Sequence, residues 1–184
     1  MSAEALAVRI ETERLVLRLP WLEDAAGAAE LLGDLEVMRY LGGEAVPRED
    51  VPAVIQKWID RWDANGVGPF VLERRGDERL VGRAGILIWD TRDWRHSTLA
   101  DAGEFAQPEL GWALAREYWG QGYATEAARA VRDWVWRERG VERLVSLIQE
   151  ENVRSQAVAW RLGATPAETV TLFESGPAVV WVHP

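Results

Sequence analysis

The segment that most constrains this chain runs from Pro108 to Arg139. An extended apolar stretch, Pro108 to Leu114, leads through a turn carrying Gly120 and Gly122 into a long amphipathic run. In that run Ala124, Ala127, Ala128, Val131, Trp134 and Val135 fall at offsets 0, 3, 4, 7, 10 and 11, the period of a helix with one buried face, and Gly140 closes it. A strand feeding a helix through glycines presents several consecutive backbone N–H groups at the positive end of the helix dipole. Such a turn suits a phosphate, and glycines let the main chain approach the anion with no Cβ in the way. A tight turn whose glycines serve geometry alone is the plainer alternative.

Two other glycine loops do not fit. A Walker loop requires Gly-Lys-Ser/Thr, whereas Tyr123 and Ala124 follow Gly122. The dinucleotide fingerprint requires glycine where Thr125 stands, and a position after the first strand of a repeated βαβ array.

Around this segment the spacing predicts a strand over 12–19, with Leu15, Leu17 and Leu19 on one face, and a helix from Trp21 to Leu32. A second helix opens at Pro47 and runs to about Ala64, with Val51, Val54, Ile55, Trp58 and Trp62 at helical spacing. Strands at 69–73 and 80–89 flank a polar turn at 75–78, and 90–106, charged and aperiodic, reads as a loop. A strand at 144–149, a helix from Asn152 to about Leu162 and a pair of strands at 168–173 and 178–183 complete the chain. Hairpins mixed with crossovers predict one α+β domain over residues 1–184, built on a mixed sheet.

Composition narrows the function. Zero Cys removes disulfides, thiolate metal sites and a cysteine nucleophile, and two His make a multi-histidine metal site improbable. Lys plus Arg number 21 against 30 Asp plus Glu, a net charge of −9, the wrong balance for a nucleic-acid binder. The Met1–Ile10 segment lacks the basic start and apolar core of a secretion signal, and no apolar run is long enough to span a membrane. The expectation is a cytoplasmic protein with neither membrane nor nucleic-acid partner and no metal.

Trp119-Gly-Gln-Gly-Tyr-Ala-Thr-Glu-Ala127 after Glu109-Leu-Gly-Trp-Ala-Leu114, with Asn152-Val-Arg-Ser155 and Arg161-Leu-Gly163, resembles the GNAT superfamily of acyl-CoA-dependent N-acetyltransferases. Together with the opening Glu11-Thr-Glu-Arg-Leu-Val-Leu-Arg18, the chain is most similar to the branch containing the Rim-type acetyltransferases of ribosomal-protein N-termini. The resemblance implies a mostly antiparallel central sheet with splayed central strands, and acetyl-CoA as cosubstrate. In the family pattern Arg/Gln-x-x-Gly-x-Gly/Ala, the fourth and sixth positions match Gly122 and Ala124, and the backbone of the whole loop (Trp119, Gly120, Gln121, Gly122, Tyr123, Ala124 and Thr125) would hold the pyrophosphate. The first position, Arg or Gln in the family, is Trp119 here. Leu114 matches the strand position whose N–H bonds the acyl carbonyl, and Asn152 would lie near the pantetheine.

The reaction so implied is direct attack of an amine on a thioester. None of Ser97, Ser146, Ser155 and Ser175 sits in a Gly-x-Ser-x-Gly elbow, and neither His96 nor His183 has a setting that suggests catalysis. Glu109 is the first candidate for the base and Glu104 the second, each with a solvated surface carboxylate as its plain alternative. Ser155 is the candidate donor to the leaving sulfur, although Asn152 and Ser155 also suit a helix N-cap. The acceptor is a protein N-terminus or a small-molecule amine, and a non-catalytic acyl-CoA-binding sensor or assembly protein is the alternative function. Acidic net charge would suit a cationic acceptor, for which Trp58, Trp62, Trp89 and Trp94 offer an aromatic wall, with core packing as their plainer role. Leu172, Phe173 and residues 179–182 offer apolar area for a homodimer.

Overall fold

The computed structural model describes residues 8–184, so most of the Met1–Ile10 segment lies outside the described residues. Nine strands among these residues form one sheet: β1 (Arg9–Glu11), β2 (Leu15–Arg18), β3 (Pro69–Arg74), β4 (Leu80–Asp90), β5 (Arg95–His96), β6 (Ala106–Leu114), β7 (Val145–Ile148), β8 (Thr165–Leu172) and β9 (Gly176–Val182). Their order is β1-β2-β3-β4-β6-β7-β9-β8, with β5 paired to the end of β4. Every pair is antiparallel except β6 and β7. The helices are α1 (Ala25–Leu32), α2 (Leu35–Met38), α3 (Val51–Asn65), α4 (Leu99–Ala102), α5 (Tyr123–Arg139) and α6 (Val153–Arg161). This is the mixed α+β architecture that the sequence predicts.

The two faces of the sheet carry different helices, and alternation along the strands decides which. Phe70, Leu72, Ala84, Ile86, Leu110 and Leu114 point to α5, where they meet Ala127, Val131 and Trp134. Phe70 lies edge-on to Trp62 (4.7 Å) and to Trp134 (5.3 Å), a knot of three aromatics that locks the end of α3 to α5. On the opposite face Val71 packs with Ala28, Ile55 and Trp58, and Ala113 packs with Leu31 and Val37, so α1, α2 and α3 cover it.

The strand expected over 12–19 is two strands. Thr12 donates its N–H to the Leu15 carbonyl (2.9 Å) and its hydroxyl accepts from the Leu15 N–H (2.9 Å), which folds 12–14 into a turn between β1 and β2. The stretch 90–106 is not a plain loop, for β5, α4 and a 3-10 turn lie within it. Side-chain caps hold α4: the Thr98 hydroxyl accepts from Asp101 N–H (3.1 Å), and Asn65 Oδ1 accepts from Leu99 N–H (2.8 Å). A helix of one turn, fixed by caps, leaves no hydrophobic period to read. The same holds for α2, capped by Asp34.

One feature of the sheet positions everything that follows. β7 pairs with β9 over four residues but meets β6 only at Glu109 and Val145. Beyond that point the Ser146 hydroxyl reaches across to the Leu110 carbonyl (2.6 Å), and the strands then part. Trp112 fills the wedge, touching both the α5 core and the cluster of Ile148, Ala159 and Trp181 under α6.

Candidate active site

The parted strands open a cleft of about 1110 Å³, bounded by residues 112–114 and 118–126 on one side and 151–158 on the other. That exceeds the roughly 300–1,000 Å³ of ordinary small-molecule pockets and suits a long ligand lying along the groove.

Its floor is the turn before α5. Gly120 (φ +74°) and Gly122 (φ +86°) are both left-handed, a conformation costing other residues about 1–2 kcal/mol. Gly122 is the N-cap residue of α5, and no side chain caps the helix. Glu126, the acidic residue of the first turn, is drawn away instead. It accepts from the Thr12 hydroxyl (2.6 Å), the Arg14 amide (2.9 Å) and Arg14 Nε (2.7 Å). The free N–H groups of the first turn therefore face the cleft, where an anion would meet them. Arg14 also donates to the Gln121 carbonyl (2.9 Å) and lies over the Tyr123 ring (4.4 Å), so β2 pins the turn from behind. Burial works to raise the Glu126 pKa, but its three bonds hold it below the usual carboxylate value.

Trp119 takes a structural part in the turn. Its indole N–H bonds the Leu114 carbonyl (2.8 Å), and its ring carries the guanidinium of Arg154 at 4.4 Å. The cation missing from position 119 thus stands over it, supplied by α6. Arg129 on α5 and Arg161 on α6 also line the cleft.

Leu114 stands where the strands have parted. Ala115 N–H bonds the Val81 carbonyl on β4, so by antiparallel alternation Leu114 turns both its N–H and its C=O away from β4, toward the opening. Trp119 takes the C=O and the N–H points into the gap. Across the cleft Asn152 caps α6, its side chain accepting from Ser155 N–H (3.2 Å). The half-buried Ser155 hydroxyl remains at the cleft wall.

The cleft thus brings together Leu114, the 119–125 turn, Asn152 and Ser155, but not the two carboxylates. Glu104 is exposed in the 3-10 turn before β6, at the opposite end of that strand from Leu114. Glu109 is buried on the α1–α3 face, its carboxylate folded over Gly111, where an added Cβ would lie 3.3 Å from Oε1. Burial raises its pKa, opposed by the Trp89 indole N–H (3.3 Å), Arg83, the Leu147 backbone and Arg61.

The histidines play other parts. His183 is buried with Nε2 2.9 Å from Ser146 Oγ. Ser146 gives its proton to Leu110, so it accepts from His183 and is no nucleophile. Burial first, then Arg132, pushes His183 down to about 4. His96 stacks on Trp89 with centroids 4.0 Å apart. Of the four tryptophans, Trp62 is core, Trp58 already faces Arg83 (5.8 Å), Trp89 holds Glu109 and Trp94 packs beside Leu87. Leu172, Val180 and Trp181 are buried within the chain, leaving Phe173 exposed.

The family described as "Acetyltransferase (GNAT) domain" matches residues 14–165, the span that contains the turn, the cleft and both its walls. The chain belongs to the GNAT acetyltransferases. The uncharacterized protein YkkB of Bacillus subtilis (strain 168) is 28% identical over 176 residues, covering 93% of each chain. Among solved structures, a GNAT-family acetyltransferase from Bacillus anthracis superimposes with a TM-score of 0.76 at 24% identity, covering 95% of this chain and 97% of its own. RimL, a ribosomal L7/L12 alpha-N-protein acetyltransferase in complex with coenzyme A, gives 0.73 at 15% identity, covering 96% and 97%. At these identities the structural matches establish the shared fold. Among the described residues, no helix of this GNAT chain is long and apolar enough to cross a membrane.

Proposed function

We propose that this GNAT enzyme binds acetyl-CoA in the cleft and transfers the acetyl group to a primary amine, of a protein N-terminus or a small molecule, by direct attack. The observation that carries the reading is the uncapped first turn of α5, set over two left-handed glycines and opening beside the free Leu114 N–H. Coenzyme A bound in a solved relative of the same fold, RimL, supports it.

When bound, the cosubstrate supplies an acetyl thioester. The amides at 120–125 receive its pyrophosphate, and Arg129, Arg154 and Arg161 offer charge to its remaining phosphate. Leu114 N–H is set to bond the acyl oxygen and to stabilise the charge that develops there, with no reorganisation required. Ser155 donates to the sulfur as the thiolate departs. Asn152 positions Ser155 by capping α6 and lies on the pantetheine side of the groove.

Of the two carboxylates, Glu109 has the setting of a base. Its burial-raised pKa moves it toward the working pH, and its carboxylate lies over Gly111, on the strand that ends at Leu114. We assign it the amine proton, taken through water, and assign Glu104 no part. The test is release of thiol from acetyl-CoA with a panel of primary amines. Amine-dependent release supports the proposal; coenzyme binding without release from any amine would return the chain to a sensor or assembly role.

A further inference from the structure

On the α1–α3 face of the sheet, around Glu109, stand two guanidiniums that the cofactor cleft does not use. Arg83 lies on β4 directly across from Ala113, whose neighbour Leu114 faces the reaction. Cross-strand Cβ atoms in such a pair are about 5 Å apart, so Arg83 emerges beside the acyl end of the cleft. Arg61 comes down from α3, one turn beyond Trp58. Both are half-buried. Among the described residues, neither guanidinium has a hydrogen-bond or ion-pair partner; Arg83 has only the face of Trp58 at 5.8 Å.

That arrangement is costly. A guanidinium carries five donors and is held in protein interiors by carboxylate or carbonyl partners, because removal from water without them is unfavourable. Burial pushes Arg83 down to about 10, with the like charge of Arg61 adding to it and Glu109 opposing. Arg61 is lowered by burial too, against the pull of Glu109 and Glu174. His96, on β5, is brought to about 4, by desolvation against Trp89 first and by the two arginines second. The charged groups facing the pair are thus Glu109, Glu174 and the neutral His96. Glu109 faces both guanidiniums, and burial raises its pKa.

We infer that Arg61 and Arg83 form the anion-binding part of the acceptor site, and that the amine this enzyme acetylates carries an oxyanion, a carboxylate or a phosphate, close to its amino group. The inference rests on the function proposed above. It reverses the preference that the acidic net charge suggests: a cationic acceptor would meet two unpaired positive charges, whereas an oxyanion supplies the acceptor atoms they lack. The fork of a guanidinium matches carboxylate and phosphate alike. One end of the acceptor would then be held by the arginines while its amine faces the base.

The experiment compares matched acceptors, an L-amino acid with its amide and O-phosphoethanolamine with ethanolamine, by initial rates of thiol release. Each anionic-to-neutral ratio of kcat/KM is measured in the wild type and in Arg61→Gln, Arg83→Gln and the double variant. Dividing wild-type by variant ratios cancels the different basicities of the amines. The expected result is a ratio that falls by roughly tenfold or more in the double variant, with acetyl-CoA affinity by calorimetry unchanged. The pair showing the larger fall identifies the oxyanion. Ratios within twofold of wild type in both pairs would overturn the inference. If none of these amines is turned over, inorganic sulfate is titrated into protein saturated with coenzyme A while the His96 ring resonances are followed. A saturable shift that is lost in Arg61→Gln supports the anion site, and none at tens of millimolar sulfate overturns it. Calorimetry keeps the two readings apart: without acetyl-CoA binding the proposed function fails, whereas binding without an oxyanion preference defeats only this inference.

Discussion

The two halves of the site are made of different materials. The cofactor half is main chain, with amides of one turn and one strand end, two glycine dihedrals, and side chains such as Arg14 and Trp119 that brace the backbone. The proposed acceptor half is side chains converging from α3, β4, β5 and β6, among them Arg61, Arg83, Glu109 and His96. A cofactor whose phosphates never vary can be met by amides fixed in place by the fold. A site built of side chains can be altered by single substitutions.

Contrasting variants in the two halves should therefore behave oppositely, and the largest effect belongs to the acceptor half. Glu109→Gln should lower kcat/KM by about 10²–10⁴-fold, the usual worth of a general base, and remove the acid limb of the pH–rate profile while leaving acetyl-CoA affinity intact. Its stability should move the other way. A carboxyl whose folded pKa is raised binds more protons folded than unfolded between 4.5 and that raised value, so native stability falls as pH rises through this window. Glu109→Gln should accordingly melt at or above the wild-type temperature at pH 7, and below it in no case attributable to lost charge.

Next in size is the cofactor half. Gly122→Val forces a β-branched residue to φ +86° and sets its Cβ 3.3 Å from Arg14 Nη2. Calorimetry should show coenzyme affinity reduced by roughly tenfold or more, and denaturant melts a loss of about 1–2 kcal/mol. Smaller is Arg14→Met, which releases the turn and strands Glu126. Because Arg14 is 39% exposed, the stability cost is discounted to about 1 kcal/mol. The lowered pKa of Glu126 means that the contribution is present above 4.5 and lost as pH falls through the folded value. Wild type and variant should thus converge in acid-denaturation curves at the lowest pH. Smallest is Ser155→Ala, expected to slow turnover about threefold to tenfold with coenzyme affinity unchanged, as fits one hydrogen bond to a sulfur that is already a good leaving group.

The contrast also governs how much was legible in the chain. The turn, its glycines and the helix behind them show in the sequence because backbone geometry selects residue types locally: glycine where φ is positive, a helical period after it. The α5 face is readable for the same reason, and Asn152 at the head of α6 follows capping preference. Arg83 and Arg61, in contrast, are ordinary members of a strand and a helix until β4 and α3 are brought onto one face, and nothing local marks their lack of partners. Arg154 over Trp119 depends likewise on α6 meeting the turn. Arg14 shows as an outward residue of a strand, and its hold on Gln121 and Glu126 spans more than a hundred residues. The elements inside 90–106 were hidden because their order comes from single side-chain caps.

In the proposed complex, main-chain amides at the head of α5 grip the coenzyme. The direct measurement is a two-dimensional amide NMR titration of the protein with acetyl-CoA. Binding by these amides should give saturable shifts concentrated at residues 120–125 and Leu114. No saturation, or saturation with those amides unmoved, would contradict it.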